Sequence, residues 1–158
     1  MADEIERKFL VPDIPRPDAA GTGGRLRQGY LAVDGPVEVR LRLDDGGARL
    51  TVKAGAGLHR SEVEVPLGEA DAVQLWPHTE GRRVEKVRHL VALDAGQVAE
   101  VDVYEGDLDG LCTVEVEFPT TDAADAFVPP TWFGAELTGR PGWSNAALAS
   151  HGRPVSDP

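Results

Sequence analysis

Charged and apolar residues alternate with a period of two along most of the chain. In the opening stretch "EIERKFLV", Glu4, Glu6 and Lys8 share one strand face. Ile5 and Phe9 share the opposite face. Because successive side chains of a β-strand point to opposite sides, this pattern predicts a strand with one charged and one apolar face. The alternation alone does not say whether the charged face points to solvent or to the inside of a closed sheet.

Seven further segments continue the pattern and are bounded by turn residues. Asp44-Asp45-Gly46-Gly47 predicts a tight hairpin. Connections of this length join antiparallel neighbours, so an antiparallel sheet of about eight strands is expected. After the first strand, the predicted strands are Leu26–Val33, Val37–Leu43, Ala48–Ala54, Ser61–Leu67, Arg82–Leu93, Gln97–Glu105 and Cys112–Phe118.

A few short helices are predicted beside the strands, which makes the fold class α+β. Pro77 is expected to end the first helix, Thr121 or Asp122 to cap the second, and Ser144 to cap the third. The segment from Pro12 to Gly24 is rich in proline and glycine and is predicted to be a loop. The predicted helices are Glu69–Trp76, Ala123–Val128 and a last one that ends at Ala149.

Length and composition indicate one globular domain. The 158 residues, 41% of them hydrophobic, are enough to bury a core. We expect residues 1–151 to form this domain and residues 152–158 to form a disordered tail. The chain has no membrane-length apolar run, no secretory signal and one cysteine, Cys112, so a cytoplasmic protein without membrane contact is expected.

The net charge of −11 argues against nucleic-acid binding, which needs a basic surface. A local basic site can still hold an anion, because net charge does not describe a single pocket. The sequence contains no phosphate-binding P-loop, no dinucleotide-binding glycine motif and no zinc motif, and its four histidines lack metal-ligand spacing.

Charged pairs at positions i and i+2 are the remaining candidate chemistry. About four or five acidic pairs are expected by chance in such an acidic chain, and an open sheet with one solvated face would give the same alternation. The acidic pairs are Glu4/Glu6, Glu62/Glu64, Glu100/Asp102 and Glu115/Glu117; the basic residues on the same strands are Lys8, Arg40, Arg42, Lys53, Lys86 and Arg88.

A sheet that closed with these charges inside would have a distinctive chemistry. Clustered arginines and lysines bind polyanions such as phosphate chains. Carboxylates bind hard divalent cations such as Mg²⁺, which commonly bridges carboxylates and substrate phosphates. A cavity that holds both sets suits phosphoryl transfer, which depends on positioning and charge neutralisation.

The ordered motifs resemble the CYTH superfamily, also called triphosphate tunnel metalloenzymes. "EIERKFLV" is similar to its ExExK signature, and six further blocks follow in the family order: "VEVRLRL", "LTVKAG", "SEVEVPL", "VEKVRH", "AEVDVYEGDLDGL" and "VEVEF". The resemblance extends from Asp3 to about Ala149. It implies a closed eight-stranded antiparallel β-barrel, or tunnel, with a charged interior and a few flanking helices.

The resemblance also implies residue roles. Glu62, Glu64 and Glu100 would be supporting acids, and Glu115 would be the candidate for orienting the attacking water. The implied metal ligands are Glu4, Glu6, Asp102, Glu115 and Glu117. The implied phosphate-binding residues are Lys8, Arg40, Arg42, Lys53, Lys86 and Arg88. The implied catalytic group is Lys8, Arg42, Lys53, Lys86 and Glu115.

The implied activity is metal-dependent hydrolysis of a triphosphate, with Mg²⁺ or Mn²⁺ as cofactor. Inorganic tripolyphosphate is the first choice. An adenylate cyclase, a nucleoside triphosphatase, a thiamine triphosphatase or a non-catalytic polyphosphate-binding module would use the same residues. The segment Gly142–Ala149 departs from the family, because Ala146 and Ala147 stand where a basic residue is common. A homodimer is implied by the resemblance alone.

Overall fold

The fold is a closed β-barrel of eight antiparallel strands. The computed structural model describes residues 2–12, 22–156 and 158. The strands run in the barrel order β1-β5-β4-β3-β2-β6-β7-β8, which confirms the predicted closure and polarity. Their bounds are β1 Ala2–Leu10, β2 Thr22–Asp34, β3 Val37–Asp44, β4 Gly47–Ala56, β5 His59–Leu67, β6 Arg83–Ala92, β7 Val98–Tyr104 and β8 Cys112–Glu117.

Strand β1 closes the barrel by pairing with two partners. Its first half pairs with β5, and its second half, from Glu6 to Leu10, pairs with β8. Along the second half, the free edge of β1 bonds to the segment from Gly134 to Thr138, and the N–H of Leu137 donates to the carbonyl of Lys8 at 2.8 Å. Backbone groups on this edge are therefore satisfied without a ninth strand.

The predicted orientation of the first strand is confirmed. Ile5 and Phe9 point outward and are buried, with 8% and 2% of their surface exposed. Phe9 packs against Phe133 with ring centroids 5.1 Å apart. This outer cluster covers β1, β7 and β8, and it includes Ile5, Phe9, Val101, Val114, Val116, Phe118, Ala124 and Phe133.

Three α-helices flank the barrel: α1 Glu69–Leu75, α2 Thr121–Ala126 and α3 Asn145–His151. Ser144 caps α3 as predicted, with its Oγ accepting from the N–H of Ala147. The predicted cap of α2 is wrong, because Thr120 accepts the hydrogen bond of Ala123 and the helix begins two residues early. Pro77 does not end the first helical segment, since a 3₁₀ turn, Trp76–Thr79, continues through it. Proline is tolerated there because the first N–H groups of a helical turn have no intrahelical acceptor.

The prediction of a loop from Pro12 to Gly24 is wrong at its C-terminal end. Strand β2 already begins at Thr22, and its first residues pair with β6. Residues 13–21 of that loop lie outside the described residues.

One outer apolar face of the barrel lies partly open to solvent. Val52, Val63 and Val65 on β4 and β5 are 37%, 46% and 45% exposed. Val39, Val52 and Val63 are direct neighbours across three strands. Helices α2 and α3 lie against other strands, and α1 contacts β4 without covering these valines.

A second apolar cluster fills one end of the barrel interior. Leu10, Val84 and Tyr104 continue the inward-facing sides of β1, β6 and β7, and they pack with Trp143 and Leu148 of the C-terminal segment. The hydroxyl of Tyr104 donates to Asn145 Oδ1 at 2.5 Å, which links α3 to the barrel wall.

No helix in the described residues has the length and apolar character needed to cross a membrane.

Candidate active site

The barrel encloses a cavity of about 890 Å³. Eleven of the predicted site residues line it: Glu4, Glu6, Lys8, Arg40, Arg42, Lys53, Glu62, Arg88, Glu100, Glu115 and Glu117. The other three, Glu64, Lys86 and Asp102, are not among its lining residues within the described chain. Period-two alternation places these residues on one face, and closure of the sheet turns that face inward.

Strand register decides which charges meet. Lys8 lies opposite Glu115 between β1 and β8, and the Nζ of Lys8 is 3.2 Å from Oε1 of Glu115. Lys53 lies opposite Glu62 between β4 and β5, and its Nζ is 2.8 Å from Glu62 Oε2 and 2.6 Å from Glu4 Oε2. Both lysines are therefore positioned by carboxylates in the wall of the cavity.

Lys86, Asp102 and Arg88 form a buried cluster behind the cavity surface. The side chains of Lys86 and Asp102 are fully buried, with Nζ and Oδ2 2.5 Å apart. Arg88 binds the same carboxylate through Nε at 2.7 Å and Nη2 at 2.8 Å, and it also contacts Glu100 and Glu115. This bidentate arrangement fixes the guanidinium where it reaches the cavity.

The protonation of this cluster follows from burial and charge. Burial lowers the pKa of Lys86 to about 8, although Asp102 acts in the opposite direction. Burial raises the pKa of Glu115, but Lys8, Lys86 and Arg88 outweigh it and hold that pKa well below the usual value. Glu115 is therefore an ionised hydrogen-bond acceptor at neutral pH.

Arg40 and Arg42 differ from the other basic residues because their guanidinium groups have no carboxylate partner. Within the described residues, neither side chain makes a hydrogen bond or a salt bridge, and each has a buried Nε without an acceptor. Burial lowers the pKa of Arg42, and the charges of Arg40 and Arg88 lower it further. Burial also acts to lower the pKa of Arg40, but Tyr30, Glu62 and Glu38 outweigh it and raise that pKa. Two neighbouring guanidinium groups with buried donors that lack acceptors indicate an anion-binding site.

Carboxylates gather at another part of the cavity, on β1 and β8. Glu6 and Glu117 face each other in register. Burial, followed by the charge of Glu115, raises the pKa of Glu6 to about 7. Burial, followed by the charge of Glu4, raises the pKa of Glu117. A divalent cation would relieve this repulsion, and the oxygen donors suit Mg²⁺ or Mn²⁺.

This set of carboxylate donors fits a metal ion whose coordination is completed by the substrate. In residues 2–12, 22–156 and 158, no three acidic, histidine or cysteine side chains are arranged to hold a metal ion by themselves. Mg²⁺ is typically held by one or two carboxylates together with water and phosphate oxygens, so a pair such as Glu6 and Glu117 is chemically sufficient.

Sequence reasoning missed several polar residues inside the barrel, among them Glu38, Arg60 and Tyr30. Glu38 and Arg60 each precede a predicted site residue by two positions, at Arg40 and Glu62, so strand parity was the signal that would have found them. Tyr30 gave no such signal, because no predicted site residue lies on β2; its register opposite Arg40 places it inside. Its hydroxyl is buried without a hydrogen-bond partner among the described residues, and burial raises its pKa.

The C-terminal segment forms part of the cavity wall. Trp143, Asn145, Ala146 and Ala147 all line it. The two alanines add no charge, in agreement with the departure noted in the sequence. Asn145 holds the hydroxyl of Tyr104, so its side chain links α3 to the barrel in this arrangement.

Comparison with known proteins agrees with this architecture. The family model described as the CYTH domain matches residues 2–128. The chain belongs to the CYTH domain family. Its β-barrel with charged side chains inside is therefore the family's tunnel.

Two similar CYTH proteins carry the same name. An inorganic triphosphatase of Nitrosomonas europaea is 47% identical over 147 residues, which cover 92% of this chain and 96% of that protein. An inorganic triphosphatase of Acetivibrio thermocellus is 36% identical over 154 residues, which cover 96% of each chain. A crystal structure of an inorganic triphosphatase matches with a TM-score of 0.69 and 44% identity, over 95% of this chain and 96% of that one.

More distant CYTH structures share the fold only. A candidate adenylyl cyclase from Hippeastrum, in which a triphosphatase activity dominates, is 14% identical with a TM-score of 0.54, over 77% of this chain and 82% of that one.

Proposed function

We propose that this CYTH protein hydrolyses inorganic tripolyphosphate to pyrophosphate and phosphate inside its tunnel. The observation that carries the proposal is the pair of buried guanidinium groups, Arg40 and Arg42, without carboxylate partners in the described chain. A phosphate chain supplies the hydrogen-bond acceptors that both guanidinium groups lack. The two similar inorganic triphosphatases support this substrate.

The basic residues divide into two groups. Arg40 and Arg42 are available to an incoming phosphate chain. Lys8, Lys53 and Arg88 are held by carboxylates, which fix their direction and leave further N–H groups for phosphate oxygens. A substrate bound by these groups would be aligned and its charge neutralised before the reaction, which is the main requirement of phosphoryl transfer.

Glu115 would orient the attacking water. Its carboxylate lines the cavity, remains ionised beside Lys8, and can accept a hydrogen bond from a water molecule. Lys86 and Asp102 lie deeper and are fully buried. We assign both to positioning, since Asp102 holds Lys86 and Arg88 in place and is already occupied by them.

A bound divalent metal, Mg²⁺ or Mn²⁺, would neutralise negative charge on the phosphate chain and orient it for in-line displacement. Glu6 and Glu117 are the residues we propose to hold it, together with water and phosphate oxygens, and their raised pKa values support this role. Glu4 is already paired with Lys53, so we assign it to positioning that lysine. The substrate panel below compares Mg²⁺ with Mn²⁺ as the cofactor.

A substrate panel tests the function. Tripolyphosphate, ATP and thiamine triphosphate are incubated with Mg²⁺ or Mn²⁺, and phosphate, pyrophosphate and cyclic AMP are quantified. We expect phosphate release from tripolyphosphate to have the highest kcat/KM. Preferred hydrolysis of ATP or thiamine triphosphate, cyclic AMP formation, or binding without phosphate release would overturn the proposed substrate and support the corresponding alternative.

Arg42→Ala and Lys53→Ala test the site itself. Each removes charge-assisted hydrogen bonds, so kcat/KM should fall by about 10- to 100-fold or more. Arg25→Ala is the matched control, because Arg25 lies outside the barrel, where its partner is Glu105. Full activity in both cavity variants would contradict the tunnel as the site of reaction.

A further inference from the structure

The end of the β4–β5 hairpin places a further arginine at the cavity. Arg60 lies on β5, opposite Glu4 of β1 on one side and Gly55 of β4 on the other. Its side chain lines the cavity and is 17% exposed. Arg60 is therefore an internal basic residue that the sequence motifs did not indicate.

Gly55 fixes the backbone position of Arg60. Gly55 has a φ of 108°, a region that residues with a Cβ rarely adopt. A Cβ at this position would lie 3.2 Å from the carbonyl oxygen of His59 and 3.5 Å from the Cα of Arg60. Glycine at residue 55 therefore permits the close approach of the two strands, and the parity of β5, shared with Glu62, directs Arg60 into the barrel.

The guanidinium of Arg60 is not fully used by the protein. It lies 3.7 Å from Glu6 and 3.8 Å from Glu38, and both distances exceed that of a hydrogen bond. Its Nε is buried without an acceptor in the described chain. By contrast, Arg88 makes hydrogen bonds to Asp102 at 2.7 and 2.8 Å. Arg60 thus resembles Arg40 in keeping N–H donors for a ligand.

Arg60 also extends the basic surface along the cavity. Arg60 Nη1 lies 3.8 Å from Glu38 Oε1, and Glu38 is two residues before Arg40 on β3. Two residues of a strand correspond to about 7 Å, so Arg42, Arg40 and the guanidinium of Arg60 follow one another along the cavity. An anion of two phosphates held by Arg42 and Arg40 therefore leaves Arg60 without a contact, whereas a chain of three phosphates reaches it.

We infer that Arg60 is a specificity-determining residue that binds the terminal phosphate nearest the β4–β5 hairpin, so that the tunnel prefers three linked phosphates to two. This inference rests on the proposed function. Glu38 and Glu6 hold the guanidinium near the path of the chain, and the phosphate replaces these long ion pairs with direct hydrogen bonds.

The test measures binding of tripolyphosphate and of pyrophosphate by calorimetry, in buffer stripped of divalent metal, for wild type, Arg60→Ala and Arg60→Lys. Arg60→Ala should weaken tripolyphosphate binding by about 10- to 100-fold. Pyrophosphate binding should change by less than about twofold, because the shorter anion does not reach Arg60. Arg60→Lys keeps the charge but loses the planar fork, so we expect an intermediate affinity for tripolyphosphate.

Steady-state kinetics with Mg²⁺ provide a second measurement. Arg60→Ala should raise KM for tripolyphosphate while kcat changes little, since a remote contact contributes to substrate and transition state alike. Arg25→Ala removes one exposed positive charge outside the barrel and should leave both affinities unchanged.

Three results would overturn the inference: unchanged tripolyphosphate affinity in Arg60→Ala, equal losses for the two anions, or a wild-type affinity in Arg60→Lys. Should Arg60→Ala fail to fold, Arg60→Lys decides. These results are distinct from failure of the proposed function, in which the wild type itself would not hydrolyse tripolyphosphate and Arg42→Ala would cause no loss.

Discussion

Glu6 is a carboxylate whose ionised form the folded barrel disfavours. Burial, and next the charge of Glu115, raise its pKa from 4.5 to about 7. Its side chain is 18% exposed, and its ion pair with Arg60 is long, at 3.7 Å. The metal-free protein should therefore lose stability when this group ionises, and the effect can be measured.

The sign follows from proton binding. Between pH 4.5 and about 7, the folded protein holds a proton on Glu6 that the unfolded chain has released. The stabilisation from this group is therefore present below pH 4.5 and is lost as the pH rises towards 7. The difference corresponds to at most about 3 kcal/mol, and solvent at the partly exposed side chain reduces it to about 1–2 kcal/mol.

Glu6→Gln replaces the carboxyl with a neutral group of the same shape. In buffer stripped of divalent metal at pH 8, we expect its free energy of unfolding to exceed that of wild type by about 1–2 kcal/mol. At pH 4 the two proteins should agree within a few tenths of a kcal/mol, because both are neutral at this position. Urea denaturation followed by circular dichroism measures both values.

Glu80→Gln is the control, since Glu80 is exposed and the substitution changes the net charge equally. It should leave the pH dependence of stability unchanged. If Glu6→Gln is no more stable than wild type at pH 8, or gains as much at pH 4, burial and Glu115 do not disfavour the Glu6 charge and the reasoning is refuted.

Two substitutions probe the frame around the site. Asp102→Asn should reduce the free energy of unfolding by about 3–5 kcal/mol, because it leaves the buried charges of Lys86 and Arg88 without their shared carboxylate. Urea denaturation measures this loss. A loss below about 1 kcal/mol would show that the cluster is hydrated or rearranges. Gly29→Ala should destabilise the folded protein by about 1–3 kcal/mol, since the added Cβ would lie 2.4 Å from the Oγ1 of Thr79. Thermal denaturation measures the effect. A melting temperature equal to that of wild type would mean that the 3₁₀ turn moves freely away from β2.

Much of the fold could be predicted from local patterns. The Asp44–Gly47 turn connects β3 and β4 as predicted, and the strand positions agree within a few residues. The errors lie where tertiary contacts override local signals. Pro77 continues a helical turn because the turn packs on β2, where Gly29 makes room for Thr79.

The sequence by itself determined which side chains share a strand face, because the two-residue period of a strand is local. It also placed Glu4, Glu6 and Lys8 opposite Ile5 and Phe9. The order of the charged motifs was sufficient to indicate the family, since seven blocks in one order are a property of the chain alone.

Only the tertiary structure decided which charges are paired and which are available. Asp102 is occupied by Lys86 and Arg88, whereas Arg40 and Arg60 keep donors without acceptors in the part of the chain that the structure describes. These differences depend on register between strands that are distant in sequence and on closure of the barrel, which brings carboxylates to some bases and not to others. Alternation fixes the strand face of each residue, but which charges form ion pairs depends on the tertiary structure.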